Sequence, residues 1–165
     1  MENRTEHEIE LYAIEAFKII LDHEVNKSHR YGDSLTLVDL IVEAEPASPA
    51  NQHRAEVFVI SALSVHLRKA DIPCRQNNEF LILLPATGAT GARTACERLK
   101  KQIESIHQAE DTETFKLSAF VGMATLPNDD RSVTSDRLIQ NASQALGHAR
   151  INQISNVVGF SELTK

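Results

Sequence analysis

Two apolar stretches on either side of a three-residue polar turn constrain the fold of this chain more than any other feature. Residues 72–75 and 79–85 have the composition of strands, and the connection between them is Gln76-Asn77-Asn78. Asparagine tolerates the left-handed backbone angles that a tight connection needs, so the pattern predicts a β-hairpin. The two strands of a hairpin are necessarily antiparallel, which limits how the remaining elements can be arranged around them.

Apolar residues elsewhere recur at steps of three and four, as on one helix face, or in short continuous runs, as in buried strands. With the hairpin they predict a helix, then a strand–helix–strand–strand–helix–strand unit, then a final helix and strand. We therefore expect an α+β fold with a ferredoxin-like βαββαβ core, a central mostly antiparallel sheet flanked by helices, and an extra N-terminal helix. The other predicted strands span 35–42, 115–126 and 155–160, and the predicted helices span 5–29, 52–68, 87–107 and 133–150.

The size and charge of the chain argue against several classes of function. Its 165 residues suit one compact domain, with 1–30 as an N-terminal amphipathic helix and 31–165 as the body. A formal net charge of −6 disfavours tracking of a nucleic-acid backbone, so no nucleic-acid partner is expected. No apolar run approaches the roughly 20 residues that a membrane span requires, and the acidic N-terminus is unlike a signal peptide. We expect a cytoplasmic protein without membrane insertion.

The helix predicted near the N-terminus leaves two alternatives open. Apolar residues such as Phe17, Ile20 and Leu21 form one of its faces, and acidic residues occupy the other. The apolar face could pack on the body of the domain, or it could pair with a second copy of the chain. We favour packing on the domain, and we also expect a homodimer or a protein partner.

An ordered set of short motifs resembles the GGDEF domain of diguanylate cyclases, from about residue 23 to the end of the chain. The resemblance implies a fold of the nucleotidyl cyclase type, which agrees with the predicted element order. Two matching segments surround the signature: residues 68–75 precede the signature hairpin, and residues 79–85 end the signature and continue as a strand. Three more follow along the chain. Residues 95–99 resemble the "AERL" helix, 117–124 the "SIGVA" strand and 156–158 the closing "RNxV".

The resemblance also implies an active site in which two carboxylates hold divalent metals while two GTP molecules are joined. Counting from the turn at Gly32, the first acid position falls on Ile41, whose side chain has no oxygen to offer a metal. Asp39 lies two residues earlier on the same strand face, and Glu43 follows, so a shifted metal site that includes Glu79 remains open.

The signature segment departs from the pattern of the family. The family has two glycines, which let the backbone approach phosphate closely, whereas this chain has asparagines and is one residue shorter. The segment between the first strand and Arg68 is also shorter, and it has no phosphate-binding lysine and no guanine-binding asparagine. The sequence therefore predicts a degenerate domain that is not an enzyme and has no catalytic residue, metal or cofactor. The degenerate signature comprises Gln76, Asn77, Asn78, Glu79 and Phe80.

A second surface of the family, which binds its cyclic product, keeps its residue types here. The RxxD motif of that surface corresponds to Arg68 and Asp71, and the arginine of the "AERL" helix is Arg98. Arginine can donate two parallel hydrogen bonds to guanine or pair with a phosphate, and Asp71 can accept hydrogen bonds from guanine N–H groups. An Arg three residues before an Asp also forms ordinary surface salt bridges, which is the simpler interpretation of the motif.

Three hypotheses of function follow from these residues. We favour a cyclic di-GMP receptor, or effector, that binds the dinucleotide through Arg68, Asp71 and Arg98. The alternative is a protein–protein interaction module with a scaffold or regulatory role that needs no nucleotide. The third is a cyclase that works through the shifted acids of the first strand.

Overall fold

The computed structural model describes residues 9–105, 116–127 and 130–164 of the chain. Helices and strands follow one another in the predicted order. In chain order they are helix α1 (Ile14–Tyr31), strand β1 (Leu35–Glu45), helix α2 (Pro49–His66), strands β2 (Ile72–Gln76) and β3 (Glu79–Pro85), helix α3 (Ala89–Ser105), strand β4 (Lys116–Leu126), helix α4 (Ser135–Ile151), strand β5 (Val158–Gly159) and a 3-10 helix (Phe160–Thr164).

Five strands form one sheet in the order β2-β3-β1-β4-β5, which confirms the expected α+β class and its ferredoxin-like core. The central strand β1 runs antiparallel to both β3 and β4, whereas β4 and β5 are parallel. The predicted hairpin is present: Gln76 pairs with Glu79, and Asn77 has a left-handed backbone with φ of 55°. Asparagine at this position therefore has the conformational role that the sequence indicated.

Helices cover both faces of the sheet, so β1 is buried along nearly its whole length. Val38, Leu40 and Val42 pack with residues of α2 and α3 on one face. Leu35 and Leu37 pack with residues of α1 and α4 on the other face. A strand with apolar neighbours on both sides needs no alternation with polar residues, which explains the continuous apolar run in the sequence.

Helix α1 starts later than the predicted range 5–29, because the residues before it run alongside the edge strand β2 instead of coiling. The backbone N–H of Tyr12 donates to the carbonyl oxygen of Pro73, with an N···O distance of 3.0 Å. Phe17 of α1 is fully buried, so this helix packs on the body of the domain, which was the favoured alternative. Residues 5–8 of the predicted helix lie outside the described residues.

Helix α4 lies very close to β4, and Gly122 is the residue that permits the approach. A Cβ atom at this position would lie 2.2 Å from the backbone nitrogen of Leu146 and 2.5 Å from the carbonyl oxygen of Ala142. Both neighbours belong to the backbone of α4, so a side chain at residue 122 would force the whole helix away from the sheet.

The C-terminal segment differs from the strand predicted over 155–160, because β5 has two residues and then turns into the 3-10 helix. Arg93 of α3 holds this segment in place. Its guanidinium donates to the carbonyl oxygen of Val157 at 2.5 Å and forms an ion pair with Glu162. Among the described residues, no helix is both long enough and apolar enough to cross a membrane.

Candidate functional site

A cavity of about 520 Å³ opens between the end of α2 and the first half of α3. Arg68 and Asp71 reach it from the loop after α2, Arg98 from α3, and Thr87 from the loop between β3 and α3. Sites for small molecules typically have this size and this combination of an apolar lining with a few polar groups. The apolar lining comes from Val38, Ile82, Leu84, Cys96 and Leu99.

The structure therefore brings Arg68, Asp71 and Arg98 to one cavity, although 30 positions separate the first from the last. The loop after α2 and the middle of α3 become neighbours because both helices pack on the same face of the sheet. Sequence reasoning placed these three residues together only through the family resemblance.

Arg68 is fixed on one side and open on the other. Its Nη2 atom donates to Thr87 Oγ1 at 2.6 Å, and to Asp71 Oδ1 and the carbonyl oxygen of Pro85, both at 3.3 Å. Nε and Nη1 make no hydrogen bond within the part of the chain that the structure describes, and 59% of the side chain is exposed. A guanidinium held through one nitrogen keeps its remaining N–H donors for a ligand.

Asp71 faces inward, and Arg98 faces solvent. The Asp71 side chain is only 5% exposed, and its Oδ2 accepts a hydrogen bond from the backbone N–H of Arg68 at 2.8 Å. Arg98 is exposed and has no ion pair or hydrogen bond with any residue of the described ranges. The rim thus offers one anchored cation, one unpaired cation and one carboxylate.

Cys96 lines the cavity but is poorly suited to chemistry. Burial is the main cause that raises the pKa of its thiol to about 12, with a smaller opposing effect of Arg93. A thiol that stays protonated at neutral pH is a weak nucleophile and a weak metal ligand. Cys96 therefore contributes apolar surface to the cavity.

The signature residues lie at the opposite end of the hairpin from this cavity. Gln76 ends β2, Asn77 and Asn78 form the turn, and Glu79 begins β3. Phe80 is buried in the core with residues of α2 and α3, together with Ile82 and Leu84 of the same strand.

Asp39 of β1 is a carboxyl group buried inside the sheet, only 1% exposed. Among the residues that the structure describes, neither of its oxygens has a hydrogen-bond partner. Burial, with the carboxyl of Glu79 on the neighbouring strand as the second cause, raises the pKa of Asp39 to about 8. The carboxyl of Asp39 therefore stays largely protonated at neutral pH.

The first strand carries its buried acid two residues before the position counted from the turn. That position, Ile41, lies in a small apolar cluster with Phe120 and Leu146, and it is the partner of Glu79 in the β1–β3 ladder. Asp39 lies two residues earlier on the same strand face. An Asp inside an otherwise apolar run is the sequence signal for this buried acid.

Glu43, the third acid of the shifted site, is paired with an arginine. Glu43 accepts a hydrogen bond from Nε of Arg150 at 2.6 Å. Within the described ranges, no group of three or more His, Cys, Asp or Glu side chains could hold a metal ion. Asp39 and Glu79 thus have no third acid, histidine or cysteine grouped with them in these ranges.

Together, the split βαββαβ core, the cavity beside α3 and the acid pair at the hairpin define an α+β domain of the nucleotidyl cyclase type. Residues 57–155 match the family described as "Diguanylate cyclase, GGDEF domain", and the chain belongs to that family. No curated protein matches the chain significantly.

Solved structures share the fold at low sequence identity. The GGDEF domain of DgcB from Caulobacter crescentus, in complex with c-di-GMP, is 16% identical, with a TM-score of 0.76 and 98% of each chain covered. The active GGEEF domain of a diguanylate cyclase from Vibrio cholerae is 14% identical, with a TM-score of 0.77, covering 92% of this chain and 98% of that one. Diguanylate cyclase SiaD from Pseudomonas aeruginosa, in complex with its activator SiaC, is 24% identical, with a TM-score of 0.73, covering 90% of this chain and 58% of SiaD.

The prediction that the chain is not an enzyme is wrong. The family to which it belongs is that of diguanylate cyclases, and one neighbour in structure is an active domain of such a cyclase.

Proposed function

We propose that the chain binds cyclic di-GMP in the cavity between α2 and α3, through Arg68, Asp71 and Arg98, and acts as an effector of that dinucleotide. The observation that carries the proposal is the convergence of these three side chains on one cavity of suitable size. Relatives in structure support it, because two DgcB structures are complexes with c-di-GMP.

The chemistry of the rim matches the ligand. A guanine base presents O6 and N7 as acceptors and N–H groups as donors, and the linkage between nucleosides carries negative phosphates. The free N–H groups of Arg68 and the unpaired guanidinium of Arg98 can serve the acceptors and phosphates, and Asp71 can accept from guanine. The net charge of the chain is −6, so these local cations rather than long-range attraction would hold the ligand.

Calorimetric titration of the purified chain with cyclic di-GMP tests the proposal directly. We expect saturable heat, and we expect Arg68→Ala and Arg98→Ala each to weaken binding by about 30-fold or more, the value of one good arginine–guanine or arginine–phosphate contact. The absence of heat from the unaltered chain at high micromolar ligand would refute the proposal.

Lys69→Ala supplies the matched control for charge. Lys69 is adjacent to Arg68, exposed and outside the cavity lining, so its removal changes the net charge equally without touching the site. Binding by Lys69→Ala should equal that of the unaltered chain. A protein partner retained equally by Arg68→Ala and by the unaltered chain would favour the alternative of an interaction module that needs no nucleotide.

The buried carboxyl of Asp39, beside Glu79, favours a second candidate, the conversion of GTP to cyclic di-GMP. A carboxyl with a strongly raised pKa is typical of functional sites, and Asp39 lies next to the first residue of the hairpin's second strand in a cyclase family. Incubation with GTP and magnesium or manganese should then give product that Asp39→Asn and Glu79→Gln both abolish. Product formation that both variants leave unchanged, or no product at all, would remove this candidate.

A further inference from the structure

We propose that Thr87 is a positioning residue of the cavity, whose hydroxyl holds the guanidinium of Arg68 in the orientation that receives cyclic di-GMP. The inference rests on the proposed function, since it assigns a role in that site. Thr87 does not need to touch the ligand itself. It acts through the 2.6 Å hydrogen bond that its Oγ1 accepts from Nη2 of Arg68.

The hydroxyl of Thr87 is itself oriented. It donates its single hydrogen to the carbonyl oxygen of Pro85 at 2.9 Å, so its lone pairs are left to accept from Arg68. Ala86, which lies between Pro85 and Thr87, has a left-handed backbone with φ of 53°. This conformation turns the chain back toward Pro85. The same carbonyl oxygen also accepts from Nη2 of Arg68, so hydroxyl and carbonyl form one acceptor surface.

Thr87 is also connected to the centre of the sheet. Thr36 of β1, which is fully buried, donates from its hydroxyl to the carbonyl oxygen of Thr87 at 2.9 Å. The hydroxyl of Thr36 lies 2.9 Å from that of Thr125 on β4. A rigid support of this kind matters because Arg68 is a long, mostly exposed side chain that would otherwise lose much rotamer freedom on binding.

Thr94 provides a matched control inside the same cavity. It also lines the cavity, but its hydroxyl donates to the carbonyl oxygen of Thr90 on its own helix, at 3.1 Å. The hydrogen bonds of Arg68 in the described chain do not include Thr94. Thr94→Val therefore removes one hydroxyl from the lining without releasing the arginine.

Calorimetry of three variants with cyclic di-GMP tests the role of Thr87. Thr87→Val, which keeps the shape of the side chain, should weaken binding about five- to tenfold, whereas Thr87→Ser should bind like the unaltered chain. Thr94→Val, which leaves the support of Arg68 intact, should weaken binding clearly less than Thr87→Val. In the background of Arg68→Ala, Thr87→Val should have no further effect, because its only route to the ligand is already lost. Equal losses for Thr87→Val and Thr94→Val, or an undiminished loss in the Arg68→Ala background, would overturn the inference.

A measurement without ligand separates this inference from the proposed function. In nitrogen NMR of the arginine side chains, rotation of the Arg68 guanidinium should be slow in the unaltered chain and in Thr94→Val, and fast in Thr87→Val. Fast rotation in the unaltered chain would refute the positioning role even if cyclic di-GMP binds. Slow rotation together with no heat of binding would leave Thr87 as the support of Arg68 and refute only the proposed ligand.

Discussion

Asp39 is deeply buried and lies near the carboxyl of Glu79, and together these two causes raise the pKa of Asp39 to about 8. The ordinary value is 3.8, so over a wide pH range the native state binds a proton that the unfolded chain releases. The unfolding free energy must then fall as the pH rises through that window. The proton on Asp39 is thus part of the native structure.

The prediction at this scale concerns pH. The stabilising contribution of the Asp39 proton should be complete below about pH 4, decline by at most about 1.4 kcal/mol per pH unit above it, and be lost once the pH exceeds about 8. Asp39→Asn, which cannot titrate, should remove this part of the slope in urea unfolding measured between pH 5 and pH 8. Asp22→Asn on the exposed face of α1 is the control, and an unchanged slope in Asp39→Asn would contradict the raised pKa.

At the scale of elements, strands and the hairpin were predictable because their signals are local. Asn77 takes the left-handed backbone that its type favours, and β1 is as apolar as its double burial requires. Helix α2 starts at Pro49, three residues before its predicted start, because Ser48 caps it by accepting from the backbone N–H of Asn51 at 3.1 Å. Serine followed by proline is a helix-start signal, and the predicted start at residue 52 did not use it.

The contact of α4 with β4 gives a prediction for two glycines. Gly122→Ala should lower the unfolding free energy by about 3 kcal/mol or more, because its Cβ would overlap the backbone of α4. Gly147→Ala should instead raise it by about 0.5–1 kcal/mol, because a Cβ there meets no atom within 4 Å and alanine favours the helix. Urea unfolding of both variants checks this, and a stable Gly122→Ala protein would show that α4 can move.

At the scale of the whole molecule, the two candidate sites lie on different faces of the sheet. The cavity lies between the sheet and α2 and α3, while Asp39 shares the face of α1 and α4. The sequence could predict the residues of the cavity through motif order, but not its apolar lining or the support from Thr87. Those depend on how helices from distant parts of the chain pack, which local patterns do not encode.

Binding in the cavity should stabilise the whole fold. At a cyclic di-GMP concentration about 100 times the dissociation constant, the unfolding free energy should rise by about 2.7 kcal/mol, because only the native chain has the cavity. Thermal unfolding with and without ligand measures this. The shift should persist in Lys69→Ala and fall to about 0.9 kcal/mol or less in Arg68→Ala, if binding there is about 30-fold weaker. An equal shift in both variants would place the ligand elsewhere.

Both edges of the sheet are protected, which limits how copies of this chain could associate. On one side the backbone of Tyr12 already covers Pro73, which has no N–H to give, and on the other side β5 ends after two residues. Within the described chain, neither margin offers a long row of free peptide groups to a neighbouring strand. A dimer of this domain would accordingly be built through helix surfaces, with each sheet remaining separate.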